Sequence, residues 1–199
     1  MGTGTNHLAR LFALTAVGRS PELKREIMRA RQAGVTLVQI KELFLQSYLL
    51  VGFPRMINAF LTLASLPGTQ GGAASERGLS SKRVRDRGER NCRAIYGDQT
   101  APMLARMREM HPDLAEWIVC EGYGKVLGRP WLKPVERELA SLPVLALQGV
   151  RAQLYSHLRG ALRVGASKSR IRSVLRACRG VVPAARLRGA ERMLDDMRP

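Results

Sequence analysis

The sequence predicts an all-α protein in which one helical unit occurs twice. Apolar residues recur every three to four positions, which is typical of helices that bury one face. Glycine, proline and capping residues divide the chain into segments of helical length. Residues 7–41 reappear, altered, at residues 138–172 without a gap, so that residue n corresponds to residue n + 131. Together these observations predict a duplicated helical fold.

The first copy is predicted to begin with two helices. Leu8, Leu11 and Phe12 share one face of the first helix. Gly18 ends that helix, because glycine readily adopts the left-handed conformation that follows a helix C-terminus. A second helix follows and ends in the same way at Gly34.

The third helix of the first copy is predicted from a capping box. In this motif the side chains of Thr36 and Gln39 satisfy backbone N–H groups at the start of a helix. The helix is expected to run through Leu50. The sequence Gly52-Phe53-Pro54 then breaks it before a last helical stretch at residues 55–64.

We expect the two copies to lie in one compact domain, joined by a linker and by connecting helices. Residues 1–64 form the first repeat, and residues 65–81 form a flexible linker rich in Gly, Ser, Ala and Pro. Residues 82–199 contain the connecting helices and the second repeat. The connecting helices are predicted at residues 82–96, 102–110 and 112–127.

The second copy repeats the helix order of the first. Its helices end at Gly149 and Gly165, and Ser167 caps the next helix as Thr36 does in the first copy. Identical residues at apolar faces and helix stops are what a common backbone requires. The matched positions are Leu139, Ala140, Leu142, Leu145, Gly149, Leu154, Ala161, Gly165 and Ile171, for Leu8, Ala9, Leu11, Leu14, Gly18, Leu23, Ala30, Gly34 and Ile40.

The formal net charge of +17 raises the question of nucleic-acid binding. Aromatic residues make up 5% of the chain, too few to interleave with the basic residues as stacking platforms. No helix-turn-helix, zinc-finger or RNA-binding signature is present. The sequence therefore favours solvated surface charge, or basic pockets for small carboxylates, over nucleic-acid binding.

The apolar stretches are short. The longest, Leu8–Val17 and Leu142–Leu147, fall below the roughly 20 residues that span a bilayer. The chain opens on polar residues rather than on a signal peptide. We therefore expect no membrane partner and a cytoplasmic location.

The three cysteines, Cys92, Cys120 and Cys178, are far apart in the chain. They form no CxxC pair and have no zinc-ligand spacing with histidines. No nucleophile elbow, phosphate loop, dinucleotide fingerprint or HExxH motif occurs. The sequence therefore predicts neither a metal nor an organic cofactor.

The repeat brings out a pairing of glutamate with histidine. Glu138 precedes His157 by 19 residues in the second copy, and His7 precedes Glu26 by 19 residues in the first. The two residue types have thus exchanged places. Because Glu and His are readily tuned for proton transfer near neutral pH, a pair meeting between two packed helices is a candidate acid–base site. The alternative is an interhelical hydrogen bond with no catalytic role.

A second group of candidates lies in Cys120-Glu121-Gly122-Tyr123-Gly124. The two glycines allow close approach of a helix or a substrate, and Tyr123 offers a hydroxyl donor. Close helix packing explains the same pattern.

Several segments of the chain resemble the carboxymuconolactone decarboxylase family, which is related to alkyl hydroperoxidase D. The resemblance is carried in the second copy by 137–139, 145–149, Ser156-His157-Leu158-Arg159-Gly160-Ala161-Leu162-Arg163-Val164-Gly165 and 171–175, together with 123–130. In the first copy, 34–36 and 52–59 are similar to the later helices of the family.

This resemblance implies an all-helical homo-oligomer, a trimer or a hexamer, and a relay of Glu138 and His157. The family's two thiol positions match Val150 and Gln153, so a dithiol peroxidase activity is not favoured here. The family pattern has an acidic residue near the Gly-x-Val turn. Lys125 occupies that position in this chain, and Glu121 is the acidic residue that remains nearby.

The function that we expect is a metal-free lyase of the carboxymuconolactone decarboxylase type, which acts on a small carboxylate or lactone. His157 is the expected general acid/base and Glu138 its orienting partner. Glu121 and Tyr123 are expected near the pocket, and Arg137 or Arg159 to bind a substrate carboxylate. His7 and Glu26 form a secondary pair with a supporting role. The rival hypothesis is a catalytically silent scaffold or ligand-binding member of the family, and an antioxidant role or nucleic-acid binding is less favoured.

Overall fold

A computed structural model describes residues 3–72 and 75–197 of the chain. Every regular element in this part of the chain is a helix, which confirms the predicted all-α class. The α-helices are α1 (Thr3–Val17), α2 (Ser20–Gln32), α3 (Leu37–Ala64), α4 (Ser81–Tyr96), α5 (Thr100–Met110), α6 (Pro112–Trp117), α7 (Pro134–Gln148), α8 (Arg151–Arg163), α9 (Lys168–Ala177) and α10 (Ala184–Asp195). A 3₁₀ turn, Gly97–Gln99, precedes α5, and a π-helical segment, Ile118–Val126, continues α6.

The chain divides into two compact units. The first consists of Met1–Ala74 together with Trp131–Pro199, and the second of Ser75–Pro130. The first unit thus joins the two copies of the repeat, because α1 of one copy packs on α7 of the other. The expectation was one compact domain made of a first repeat (1–64), a linker (65–81) and the connecting helices with the second repeat (82–199). The structure differs from this, because the connecting helices contact each other and form a unit of their own.

The two copies have the same helix boundaries. When residue n is matched with residue n + 131, α1 and α7 begin and end at equivalent positions, and so do α2 and α8. The match continues past the predicted end at residue 172, since α3 covers the same positions as α9 and α10 together. The matched apolar residues of both copies lie in one core. The helix stops are equivalent too, as Gly18 and Gly149 have φ of 72° and 74°.

Helix α3 is the helix among the described residues that is long and apolar enough, by length and composition, to cross a membrane. Its N-terminus has the predicted capping box of Thr36 and Gln39. Gly52, with φ 76° and ψ 167°, interrupts the helix where the sequence predicted a break. Neither arm of α3 therefore reaches the roughly 20 residues of a continuous span.

Reciprocal contacts relate the copies by an approximate two-fold axis. Arg137 Nη2 lies 3.1 Å from Glu42 Oε2, and at the equivalent positions Asn6 Nδ2 donates to Ser173 Oγ at 3.0 Å. Position 137 of the second copy contacts position 42 of the first, and the equivalent position 6 of the first copy contacts the equivalent position 173 of the second. Such an exchange of contacts is the signature of a two-fold interface. The same positions hold a charged pair on one side of the axis and a neutral pair on the other.

The second unit depends on close packing of α4 against the π-helical segment. A Cβ atom on Gly88 would lie 2.1 Å from the carbonyl oxygen of Val119, and one on Gly124 would lie 2.4 Å from that of Val84. Only glycine fits at such approaches.

The segment predicted as a flexible linker, residues 65–81, is anchored at two places. Thr69 is buried and donates to the carbonyl oxygens of Leu63 and Leu66. Within the second unit, Glu76 accepts from Arg87 at 2.7 Å.

Candidate functional site

Glu138 and His157 are in direct contact in the first unit. The left-handed Gly149 turns the chain so that α8 packs back on α7, which places Glu138 of α7 opposite His157 of α8. His157 Nδ1 lies 2.8 Å from Glu138 Oε2. The Glu138 side chain is 3% exposed and that of His157 is 17% exposed. The carboxylate is therefore sealed in the core, and the imidazole is the more exposed of the two groups.

The pKa of His157 results from two opposing effects. Burial lowers this pKa, but the charge of Glu138 and the hydrogen bond that its carboxylate accepts outweigh the burial, so that the pKa lies above the ordinary value of 6.5. The protonated form of His157 is thereby stabilised at neutral pH.

The same hydrogen bond determines which ring nitrogen is left for chemistry. Nδ1–H donates to the carboxylate, which orients the ring and leaves Nε2 as the position from which a proton can be given or taken. The carboxylate also stabilises the imidazolium that forms when Nε2 is protonated.

The first copy has its own pair between α1 and α2. His7 Nδ1 lies 2.6 Å from Glu26 Oε1. The second oxygen of Glu26 lies 3.2 Å from Arg10 Nε. In the second copy the position of Arg10 is occupied by Ser141, whose hydroxyl donates to the Arg137 carbonyl oxygen.

Arg137 lies in the core rather than at a surface. Its guanidinium is 1% exposed and pairs with Glu42, which is 2% exposed. Nη1 donates to Gln46 Oε1 at 3.1 Å. The structure thus places Arg137, one of the two arginines expected to bind substrate, in a buried ion pair with a residue of the other copy.

Arg159, the other expected arginine, is exposed on α8. Its guanidinium carbon lies 6.0 Å from the centre of the Tyr155 ring. Because it follows His157 by two positions, the helix turns the two side chains to nearly opposite faces.

Glu121 and Tyr123 belong to the second unit. The carboxylate of Glu121 pairs with Lys125 at 3.3 Å, and the Tyr123 hydroxyl donates to the Tyr96 hydroxyl at 3.0 Å. These contacts satisfy both side chains within the π-helical segment and α4. The structure does not place either of them in the same unit as Glu138 and His157.

A cleft of about 510 Å³ lies in the second unit. Its charged lining combines three arginines with three acidic residues, so the two signs balance. These residues are Arg85, Glu89, Arg93, Asp98, Arg108 and Glu116. Neither of the two Glu–His pairs lines this cleft.

The three thiols are poor nucleophiles. Burial raises the pKa of Cys92 and that of Cys178 to about 12. Burial and a hydrogen bond to Glu116 raise the pKa of Cys120 to about 11. At such values almost no thiolate exists at neutral pH. No group of three potential metal ligands occurs among the described residues.

Two partners of the site residues are seen in the structure but were not predicted from the sequence. Arg10 contacts Glu26, and its position three residues after His7, on the same helix face, is the signal that could have found it. Glu42 contacts Arg137 across the two-fold axis, and no local pattern in the sequence indicates that contact.

The fold and the site define a class: an all-helical protein of two related copies, each with a histidine hydrogen-bonded to a sealed carboxylate between its first two helices. Residues 112–196 match the model of the carboxymuconolactone decarboxylase family. This part of the chain therefore belongs to the family, as the sequence motifs of the second copy predicted. The matched region includes α7 and α8 and hence Glu138 and His157.

A curated relative is Peroxisomal protein 2 of Schizosaccharomyces pombe. The two proteins are 31% identical over 137 residues, which is 68% of this chain. The match covers 64% of the length of that relative.

Proposed function

We propose that the chain is a metal-free lyase that acts on a small carboxylate or lactone, with His157 as general acid/base and Glu138 as its orienting partner. The observation that supports this most is the contact of 2.8 Å between His157 Nδ1 and the sealed carboxylate of Glu138. A purely structural hydrogen bond between the helices does not need an imidazole with access to solvent.

Proton transfer from His157 fits the chemistry of decarboxylation. When the bond between a carbon atom and its carboxylate breaks, CO₂ leaves and the electron pair moves into an adjacent carbonyl group as an enolate. His157 Nε2–H then gives its proton to carbon and the enolate returns to a carbonyl. The raised pKa of His157 favours the protonated state that this step requires. A positioned acid/base group typically contributes roughly 10²- to 10⁴-fold in rate.

The test is decarboxylation of carboxymuconolactone, measured as CO₂ release by the wild type and two variants. We expect His157→Gln to lower kcat roughly 10²- to 10⁴-fold. Glu138→Gln should shift the alkaline limb of the pH profile to lower pH, because it removes the charge that raises the pKa of His157. The exposed His111 provides the matched control, and His111→Gln should behave as the wild type. Unchanged turnover in His157→Gln would refute the assignment.

A catalytically silent, ligand-binding member of the family is the second candidate. It is favoured by the position of the 510 Å³ cleft, which the Glu–His pairs do not line. This candidate predicts no turnover by the wild type, together with thermal stabilisation by a carboxylate that does not depend on His157.

Assembly into a homo-oligomer is part of the proposal and is supported by an apolar stripe on α3. Phe53, Ile57 and Leu61 are exposed and lie four residues apart on one helix face. The equivalent positions of α10 include Arg188 and Arg192, which are also exposed, so the fold itself does not need apolar residues there. Light scattering should give a multiple of the 22.0 kDa chain mass, and Leu61→Arg should lower it.

We also propose a cytoplasmic location. The relative in fission yeast is named a peroxisomal protein, which makes the peroxisome the competing location. Imaging of a fluorescent fusion distinguishes the two.

A further inference from the structure

We infer that His7, Glu26 and Arg10 form a second acid–base site, independent of Glu138 and His157, which binds a small organic carboxylate. The three side chains belong to α1 and α2. Glu26 connects the other two, since one of its oxygens contacts His7 Nδ1 at 2.6 Å and the other lies 3.2 Å from Arg10 Nε.

The first argument comes from the exchange of residue types between the copies. Positions 7 and 138 are equivalent, and so are positions 26 and 157. His7 is 24% exposed and Glu26 is 4% exposed, whereas Glu138 is 3% exposed and His157 is 17% exposed. In both copies the carboxylate is sealed and the imidazole is accessible, although the two residue types have changed helices.

In each pair the more exposed residue is therefore the histidine, whichever of the two helices carries it. A hydrogen bond that only joins two helices has no need of this arrangement. A proton-transfer group does need it, because the buried carboxylate fixes the ring through Nδ1 while Nε2 stays open to a ligand.

The second argument is the cation beside His7. Arg10 lies one helical turn from His7 on the same face of α1, and its side chain is 28% exposed. Its Nη1 donates to the carbonyl oxygens of Ala177 and Arg179 at 2.9 and 3.0 Å. These bonds and Glu26 fix the guanidinium, and Nη2 is the nitrogen that they leave for a ligand.

A fixed guanidinium next to an accessible imidazole suits a carboxylate. One carboxylate oxygen accepts from Arg10 Nη2 in a charge-assisted hydrogen bond, and the ligand then lies within reach of His7 Nε2. The pair in the second copy lacks this feature, because Ser141 stands in the place of Arg10 and Arg137 is buried with Glu42. The first-copy site is thus the one in which a cation and an accessible histidine lie side by side.

The test uses NMR, because the chain has only three histidines and their imidazole C–H signals can be assigned with His→Gln variants. Benzoate is added to the full chain at constant ionic strength with chloride, and benzamide serves as the neutral probe of similar shape. We expect a saturable shift of the His7 signal with benzoate and none with benzamide. Nitrogen-15 spectra should show the hydrogen of neutral His7 on Nδ1.

Arg10→Gln should weaken the benzoate response of His7 at least tenfold, while Arg10→Lys, which keeps the charge, should lose less. Circular dichroism checks that each variant folds. If a folded Arg10→Gln variant responds as the wild type does, or if benzamide shifts His7 as benzoate does, the proposal is overturned. The benzamide comparison uses the wild type and so decides the question even where Arg10→Gln does not fold. The His157 signal reports on its pair with Glu138 in the same spectra. A ligand response of His7 can therefore be told apart from a response at the site of the proposed function.

Discussion

Replacing Arg137 with methionine tests whether this arginine is a core residue or a ligand for substrate. Methionine keeps most of the side-chain length and removes the charge. In the variant, Glu42, which is 2% exposed, would remain in the core without the guanidinium that lies 3.1 Å from it. Removal of one partner of such a buried pair costs about 3–5 kcal/mol, because the charge that remains has lost both water and its counter-ion.

The magnitude can be measured as a change in the free energy of unfolding. For a chain of this length, about 3–5 kcal/mol corresponds to a fall in Tm of roughly 6–20 °C. Urea denaturation followed by circular dichroism gives the same quantity from the shift of the midpoint. Arg159→Met is the matched control, and since Arg159 is exposed we expect a change within about 0.5 kcal/mol.

A double variant separates the pair from simple loss of packing. In Arg137→Met with Glu42→Leu, both charges are absent and apolar groups of similar size take their place. Such replacements are often neutral or stabilising relative to the ion pair. We therefore expect the double variant to be more stable than either single variant. If the two single effects instead add in the double variant, the pair does not stabilise the core as a unit and the reasoning is refuted.

Three further predictions follow from the geometry. The pKa of His157 is raised in the folded protein, so its pair with Glu138 stabilises the fold fully below pH 6.5. This stabilisation is lost as the pH rises through the pKa of the folded state. Urea denaturation of Glu138→Gln should lack this component of the pH dependence. Gly88→Ala should cost about 1–3 kcal/mol through overpacking against the π-helical segment, whereas Gly189→Ala, which has open space in α10, should be neutral or stabilising in thermal melts. Cys120, with a pKa of about 11, should react with a thiol-specific disulfide reagent at pH 7 far more slowly than glutathione does, and fast labelling would reopen a thiol-dependent activity.

The parts of the fold that could be predicted from sequence are those that local physics determines. Glycines in the left-handed conformation and hydroxyl caps give recognisable ends to helices, and apolar residues at helical spacing give the buried faces. The contact between Glu138 and His157 was predictable for the same reason, since two adjacent helices joined by the short turn at Gly149 pack on each other.

Sequence identity reveals the repeat only as far as residue 172, whereas the structure continues it to the end of α10. The helix break explains the loss of signal. Gly52 breaks α3 by its positive φ, whereas the equivalent Pro183 stands directly before α10 and has no N–H to continue a helix. Because two chemically different residues interrupt the helix at equivalent positions of the two copies, the sequence identity is lost there while the backbone geometry is kept.

The environment of an arginine, in contrast, depends on contacts distant in sequence. Arg137 and Arg159 both looked suited to a carboxylate, and only the position of Glu42, 95 residues away, distinguishes them. Helical spacing gives the face on which a side chain lies, but not which helix of the other copy covers that face. The role of Arg10 was not predictable for the same reason, since two of its contacts are carbonyl oxygens at the C-terminus of α9 and just after it.

The asymmetry across the two-fold axis has a consequence for how the copies pair. If the first copies of two chains paired with each other, Glu42 would face Asn6 instead of Arg137, and if the second copies paired, Arg137 would face Ser173. Either arrangement leaves a charge buried without its counter-ion, at a cost of about 3–5 kcal/mol. The pairing of first with second copy alone satisfies both positions. A single charged pair on one side of an otherwise similar interface thus selects against pairing of like copies from two chains, and a neutral pair on both sides would not.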